Sequence, residues 1–325
     1  MAYQNVGTPR FYVNIPEWLD SVEEYDFTGD FYNMDISHPF WRTLPVIPSN
    51  FDHSNYGSIH IPFNMDKAFV AILGHEFTQY GDNNWYRLND SNNNLYDLTH
   101  VINGNQALST PPLYNGFSIS TFSYNADRVG IQFQGGQNSA KIGSIVIGSY
   151  YDMHSPDLKL TMTREMDGVK RIRTRGGVDL VDHKYIKPAM WGRAAAWELW
   201  SGDEALPSFE LSRPGRRNWS LSISLLSSSD IFPMLSSLYP YESTSADGTP
   251  YGDTTTWHED NTLLDSDNFY SQVIHRTLGA GNLPFIFQPS ATQYNADGTV
   301  KIQGNENIDQ FAICKFVNSS LKATQ

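Results

Sequence analysis

The stretch Lys141-Ile142-Gly143-Ser144-Ile145-Val146-Ile147-Gly148-Ser149-Tyr150-Tyr151-Asp152-Met153 decides how the chain is read. β-Branched residues at Ile142, Ile145, Val146 and Ile147, glycines at Gly143 and Gly148, and tyrosines at the exit make a strong short β pattern. The run Ile145-Val146-Ile147 is apolar on both faces of the pleat, which suits a central strand covered on both sides. Pro156 then ends the pattern, because proline removes a donor and fixes φ. Residues before this strand predict one β-sandwich, and residues after it a second, more basic β-rich region.

At 325 residues the chain has room for two domains, or for one large domain with an arm. Hydrophobic content of 40% with 18% charged residues describes a globular chain rather than a disordered one. Aromatics at 14% in a charge-poor sequence accord with β-sandwiches and with extracellular or virion proteins. The formal charge of −13 argues against a nucleic-acid partner, which needs a net basic face. The acid is uneven. Glu17, Asp20, Glu23, Glu24, Asp26, Asp30, Asp35 and Asp52 crowd the first sixty positions, whereas residues 159–193 are rich in Lys and Arg. Opposite patches of this kind can pair within a subunit or orient neighbouring subunits, and they are equally compatible with solvated strand faces. Cys314 is the single cysteine, so no intrachain disulfide forms, and its apolar context predicts a buried structural thiol. No charged-then-apolar segment opens the chain and no apolar run nears ~18 residues, so the expectation is synthesis in a cytoplasm and no membrane span.

Residues 1–56 predict an extended aromatic and acidic N-terminal arm. Phe11-Tyr12-Val13-Asn14-Ile15 is a short strand stopped by Pro16, and Phe31, Tyr32, Phe40 and Trp41 need a surface to cover them. Residues 57–153 show short apolar strands around Ala68–Leu73, Trp85–Leu88, Phe117–Phe122 and Arg128–Gln134, separated by polar turns, which indicates a sandwich or jelly roll. Residues 154–325 predict a further β-rich unit. There Leu158-Lys159-Leu160-Thr161-Met162-Thr163 and Val169-Lys170-Arg171-Ile172-Arg173-Thr174 flank Asp167-Gly168 as a hairpin. Trp219 to Leu225 alternates cleanly, Asp230 is placed to cap a short helix through Tyr239, and the best helix runs near 267–278 with an acidic cap and a Gly279 stop. The expected fold is thus mainly β: a jelly-roll or β-sandwich domain plus a second β-rich domain with one or two short helices.

Candidate chemistry is sparse. His75-Glu76-Phe77-Thr78-Gln79 lacks the second histidine that a zinc-protease helix needs, and the other histidines show no tight ligand spacing. Asp82, Asn84, Asp90 and Asn92 around Trp85 and Tyr86 could hold calcium or a sugar, since Asn and Asp supply oxygen ligands and aromatics stack on sugar faces. The same residue types are what tight turns require, and the turn reading is preferred. No catalytic residue, metal site or cofactor is expected, and paired acids for glycoside hydrolysis are not selectable from spacing along the chain.

Three segments, Phe69-Val70-Ala71-Ile72-Leu73-Gly74-His75, Asp127-Arg128-Val129-Gly130-Ile131-Gln132-Phe133 and Ile142-Gly143-Ser144-Ile145-Val146-Ile147-Gly148, resemble the galactose-binding-like jelly rolls of tailed-bacteriophage virion proteins. Arg175-Gly176-Gly177, Lys187-Pro188-Ala189-Met190-Trp191-Gly192, the run from Gly215 to Ile223, and Leu283-Pro284-Phe285-Ile286-Phe287-Gln288-Pro289 look like tail structural proteins of marine phages. The likeness covers residues 1 to about 317 and rests on the order of the motifs. It departs at the end, where Asn318-Ser319-Ser320-Leu321 stands in place of a closing strand. The resemblance implies a non-enzymatic tail component at the hub, tip or collar, carrying a carbohydrate-binding-like module at 57–153. The expected partners are copies of itself in a homo-oligomeric ring and other tail proteins, with a host surface glycan as a further candidate. Phe31, Tyr32, Phe40 and Trp41 of an arm reaching a neighbour, and Arg171, Arg173 and Arg175 of the basic region, are the expected interface. A glycan-binding virion adhesin is the alternative, and a β-sandwich glycan hydrolase the outsider.

Overall fold

The computed structural model describes residues 7–21, 43, 49–51, 56–60, 65–73, 85–89, 99–100, 117–124, 128–134, 140–154, 156–157, 160–165, 170–182, 216–224, 267–279, 283–294, 300–303 and 311–318. The chain is mainly β, as the sequence predicts. In chain order, β1 (Thr8–Asn14) and helix α1 (Ile15–Ser21) come first. Next are β2 (Ser49–Phe51), β3 (Tyr56–His60), β4 (Met65–Leu73), β5 (Trp85–Asn89) and β6 (Thr99–His100). Then follow β7 (Phe117–Tyr124), β8 (Arg128–Gln134), β9 (Ala140–Ile142) and β10 (Ser144–Asp152). β11 (Thr161–Glu165), β12 (Lys170–Arg173), β13 (Asp179–Asp182) and β14 (Arg216–Ser220) come next. A π-helical segment (Tyr270–His275), β15 (Phe285–Tyr294), β16 (Val300–Gln303) and β17 (Ala312–Cys314) close the order.

The main sheet has eight strands in the order β16-β15-β1-β10-β4-β7-β6, with β17 also on β15. Its pairings are antiparallel. β10 sits between β1 and β4 and is buried along most of its length, which fits the two-sided apolar pattern of Ile145-Val146-Ile147. A separate three-stranded sheet runs β3-β8-β5.

The start of the chain is organised differently from the expected arm. β1 is not a surface segment: it lies inside the sheet between β10 and β15, with Tyr12 opposite Tyr150 on one side and Ile286 on the other. Alternation explains why it can. Phe11 and Val13 join Tyr151, Met153, Phe269, Val273, Phe285 and Phe287 on one face. Tyr12 joins Phe69, Ala71, Leu73, Ile119, Val146, Ile286, Phe311 and Ile313 on the other. An apolar strand buried on both faces belongs in the middle of a sheet. Strands from each of the three expected segments, 1–56, 57–153 and 154–325, therefore share one sheet. Pro9 and Pro289 fall where the β1–β15 register shifts between Thr8 and Arg10, the irregular position that proline requires.

Pro16 starts a helix rather than merely ending a strand. Asn14-Ile15-Pro16-Glu17 is a helix-start signature, with an Asx cap three residues before a glutamate and proline in the first turn. The Glu17 carboxylate is buried and accepts from Thr43 N at 3.0 Å, Thr43 Oγ1 at 2.7 Å and Asn14 Nδ2 at 3.3 Å. The expected helix near 267–278 is present as Tyr270–His275 followed by turns to Gly279, whose φ of 75° confirms the glycine stop. Its cap is Asn268, which accepts from Ser271 N at 2.8 Å. Asp267, the expected cap, instead pairs with Lys67 of β4 at 3.2 Å.

The expected hairpin over Asp167-Gly168 does not form between those two strands. β11 pairs with β14, and β12 pairs with β13. The physical reason is local. Arg175-Gly176-Gly177 places glycine at φ 82°, the left-handed position a three-residue hairpin loop needs. β14 in turn is anchored to the core, since Trp219 meets Phe287 edge to face at 5.9 Å and Arg217 Nη2 donates to the Phe311 carbonyl at 3.0 Å.

Gly148 carries the tightest backbone approach described. A Cβ there would stand 1.8 Å from the Val13 carbonyl oxygen and 3.0 Å from Ile15 Cγ1, so β1 and α1 can close on β10 only over a glycine. Gly148→Ala is expected to cost about 3 kcal/mol or more, as overpacking against backbone does, in urea unfolding. Gly176→Ala, with nothing within 4 Å, should leave the midpoint nearly unchanged.

His275 packs edge to face on Trp18 at 5.5 Å, and burial, then the Arg276 charge, lower its pKa below the ordinary value. The folded chain thus resists a proton that the unfolded chain accepts at about 6.5. This contribution is full above that pH and is lost as pH falls towards the lowered value. The thermal midpoint should drop between neutral pH and pH about 5.5 more steeply in the natural chain than in His275→Gln.

Candidate interaction surface

β12 reads Lys-Arg-Ile-Arg and β13 reads Asp-Leu-Val-Asp, and their register sets each basic end opposite an acid. Lys170 stands opposite Asp182, Arg171 opposite Val181, Ile172 opposite Leu180 and Arg173 opposite Asp179. The turn is closed from within. Thr174 N donates to the Val178 carbonyl at 2.8 Å, Thr174 Oγ1 donates to it at 2.9 Å, and Val178 N donates back to Thr174 Oγ1 at 3.0 Å. Gly177 N reaches the Thr174 carbonyl at 3.0 Å.

What this ribbon lacks is a core. Ile172 is 50% exposed, Val178 62%, Leu180 57% and Val181 36%, and they lie on both faces of the pleat. Met162 on β11 adds another exposed apolar side chain at 44%. Among the described residues β12 and β13 pair only with each other, and the outer edge of each meets no other described strand. A two-stranded ribbon is marginal alone in water, and clustered exposed apolar residues are the usual mark of an association surface. Arg171, Arg173 and Arg175, expected from sequence at an interface, are brought together on this hairpin and are exposed, Arg175 at its tip.

Other expected site residues fall elsewhere. Trp85 and Tyr86 lie on β5, opposite Gln134 and Phe133. Asp82, Asn84, Asp90 and Asn92, and the aromatics Phe31, Tyr32, Phe40 and Trp41, lie outside the described residues, as does the short helix expected after Asp230. Sequence reasoning named the basic side of the hairpin but missed Ile172, Leu180 and Val181. The signal was present in Asp179-Leu180-Val181-Asp182, an apolar pair bracketed by acids.

The ionisable groups of the core hold strands together. Arg10 Nε and Nη2 donate to Asp152 Oδ1 and Oδ2 at 2.6 and 3.1 Å, across directly opposed positions of β1 and β10. The guanidinium lies 4.2 Å from the Tyr150 ring centroid. Burial works against the Arg10 charge, but Tyr12 and Asp152 more than offset it, so its pKa stands above the ordinary arginine value. Burial pushes the Tyr12 phenol up to about 12 despite Arg10, and its hydroxyl donates to Gln288 Oε1 at 2.9 Å. Burial likewise pushes the Cys314 thiol up to about 12 against the pull of Arg217. Such a thiol is protonated at neutral pH, in keeping with the structural role read from its sequence context.

Among the described residues no group of three or more His, Cys, Asp or Glu side chains is placed to hold a metal ion. No described helix is long and apolar enough to cross a membrane. No family model, curated protein or solved structure matches the chain.

Because Leu180 covers no core, Leu180→Asn should shift unfolding free energy by no more than about 0.5 kcal/mol, as exposed positions do. It should nevertheless lower the binding of an apolar dye. A core truncation, Ile286→Ala, should cost about 2–5 kcal/mol in the same denaturant series.

Proposed function

We propose that the chain is a non-enzymatic structural protein of a bacteriophage tail, which assembles with copies of itself into a ring. The observation that supports this reading best is the uncovered ribbon. Ile172, Val178, Leu180 and Val181 are exposed on a hairpin held outside a sheet that buries its own apolar residues almost completely. A chain that can bury Phe69, Val146 and Ile286 fully has no need to leave four apolar side chains in water unless another surface covers them. The resemblance of the motif order to tail structural proteins supplies the setting, and the net charge of −13 argues against a nucleic-acid contact.

The reading assigns Arg10, Tyr12 and Asp152 to the fold, because each spends its polar chemistry on neighbouring strands, and Cys314 as well, because burial holds its thiol protonated. Phe31, Tyr32, Phe40 and Trp41, which lie outside the described residues, belong to the same reading as the aromatics expected from sequence at an interface.

Sedimentation velocity and negative-stain microscopy of the purified chain at micromolar concentration test the assembly. Closed particles of one size are expected, and a monomer throughout that range overturns the proposal. Mass spectrometry of purified virions tests the setting: the chain should be among the particle proteins, and its absence would remove the tail from the reading.

A further inference from the structure

Resting on that ring-forming reading, we infer the joint and its symmetry: β12 of one copy adds edge to edge onto β13 of the next. The occupant of the open ribbon is a second copy of this chain, in a head-to-tail and not a two-fold arrangement.

Charge is divided between the two edges of the ribbon. β12 holds only basic charges, at Lys170, Arg171 and Arg173, while β13 holds only acidic ones, at Asp179 and Asp182. Three antiparallel edge pairings are open to two such ribbons. Joining β12 to β12 about a two-fold axis sets Lys170 opposite Arg173, which repels. Joining β13 to β13 sets Asp179 opposite Asp182, which also repels. Joining β12 to β13 of the next copy in the hairpin's own register sets Arg173 opposite Asp179, Lys170 opposite Asp182, and Ile172 opposite Leu180. Opposite charges directly across a ladder favour pairing and like charges oppose it, so only the third arrangement sets opposite charges across the joint, at Lys170–Asp182 and Arg173–Asp179, while Arg171 faces Val181.

Backbone geometry permits the same register. In an antiparallel ladder, residues whose amide and carbonyl groups point away from one partner point towards the strand on the other side. The outward groups of β12 and β13 alternate in step, so repeating the hairpin's register extends the ladder without a slip. The exposed apolar pair Ile172 and Leu180 then gains a matching pair on each side. A joint between two different edges of one chain is heterologous. Repeated, it closes a ring when the rotation between copies divides a full turn, and it does not stop at a dimer. Among the described residues Arg171, Arg173 and Arg175 make no ion pair.

The test is a chain with both edges reversed together: Lys170→Glu, Arg173→Glu, Asp179→Lys and Asp182→Lys. Each hairpin then keeps opposite charges across its own ladder, and each reversed copy matches another reversed copy. Natural and reversed chains, carrying tags of different mass, are dissociated, mixed in equal amounts, reassembled and examined by native mass spectrometry. The expected result is self-sorting, with mixed particles about tenfold or more below the statistical proportion, because both heterologous edges clash between the two kinds of chain. Preferential pairing of one natural with one reversed chain would show a two-fold joint and overturn the inference. Statistical mixing would show that assembly uses another surface, leaving the ring reading intact while removing this joint. Failure of both chains to assemble would remove the ring reading itself.

Amide hydrogen exchange on the natural chain gives a second measurement that needs no variant. The outward amides within residues 171–173 and 179–181 should be protected in the assembled state and exchange freely on dilution to monomer. Equal exchange in the two states would overturn the joint.

Discussion

The pairing of β1 with β10 on one edge and β15 on the other is the constraint on which the main sheet depends. Without it the sheet divides into a piece carrying β10, β4, β7 and β6 and a piece carrying β15, β16 and β17. Arg10, Phe11 and Tyr12 of β1 have ladder partners on both sides, and the strand sends Phe11 and Val13 to one apolar cluster and Tyr12 to the other. Phe11 alone meets the rings of Phe269, Phe285 and Phe287 with centroids 5.0–5.6 Å apart. Aromatic pairs at such spacing add to area burial, so the two cores are tied through one short segment.

Polar chemistry on this seam fixes the register. Gln288, Arg10 and Asp152 occupy one row across β15, β1 and β10, and Ile286, Tyr12 and Tyr150 occupy the next. A slip of one residue would turn Arg10 into the apolar face around Phe287 and leave Asp152 without its forked partner. Arg276, fully buried, donates from Nη1 to Ser149 Oγ at 2.5 Å and lies 5.8 Å from the Trp18 ring, so the π-helical segment and α1 are registered against β10 by the same means. The contrast with the β12–β13 ribbon is sharp. There the charges lie on strands that pair, among the described residues, only with each other, and Ile172, Leu180 and Val181 are exposed.

Much of this was legible residue by residue. Ile145-Val146-Ile147 announced a strand covered on both faces, and β10 is one. Arg128 to Gln134 reads as the strand it forms, because its alternation is complete and its ends are polar. The partners were less legible. Asp167-Gly168 suggested a hairpin because turn chemistry is local, whereas the pairing of β11 with β14 depends on Trp219 finding Phe287, which no local pattern encodes. Phe11, Tyr12 and Val13 were readable as a strand but not as an interior one, since acidic and proline-rich neighbours hid a segment of only seven residues. Arg171 and Arg173 were singled out from sequence because charge is visible, and both are exposed on β12. Leu180 and Val181 were not, because an apolar pair in sequence does not declare whether it is covered.

The place of β1 in the chain has a consequence for how the protein is made. Its two partners leave the ribosome at different times: β10 begins at Ser144, while β15 begins at Phe285, about 270 residues after Asn14. At synthesis rates of roughly 5–20 residues per second, the second edge of β1 stays open for on the order of 15–55 s after the strand itself has emerged. Throughout that interval Phe11 and Val13 have only part of their apolar surroundings, and a row of unpaired backbone groups faces the crowded cell. On a polysome, where copies of the same nascent strand follow one another closely, the nearest complementary edge is a sister chain's. The length of chain between Asn14 and Phe285 sets how long that edge has to be kept from a sister chain.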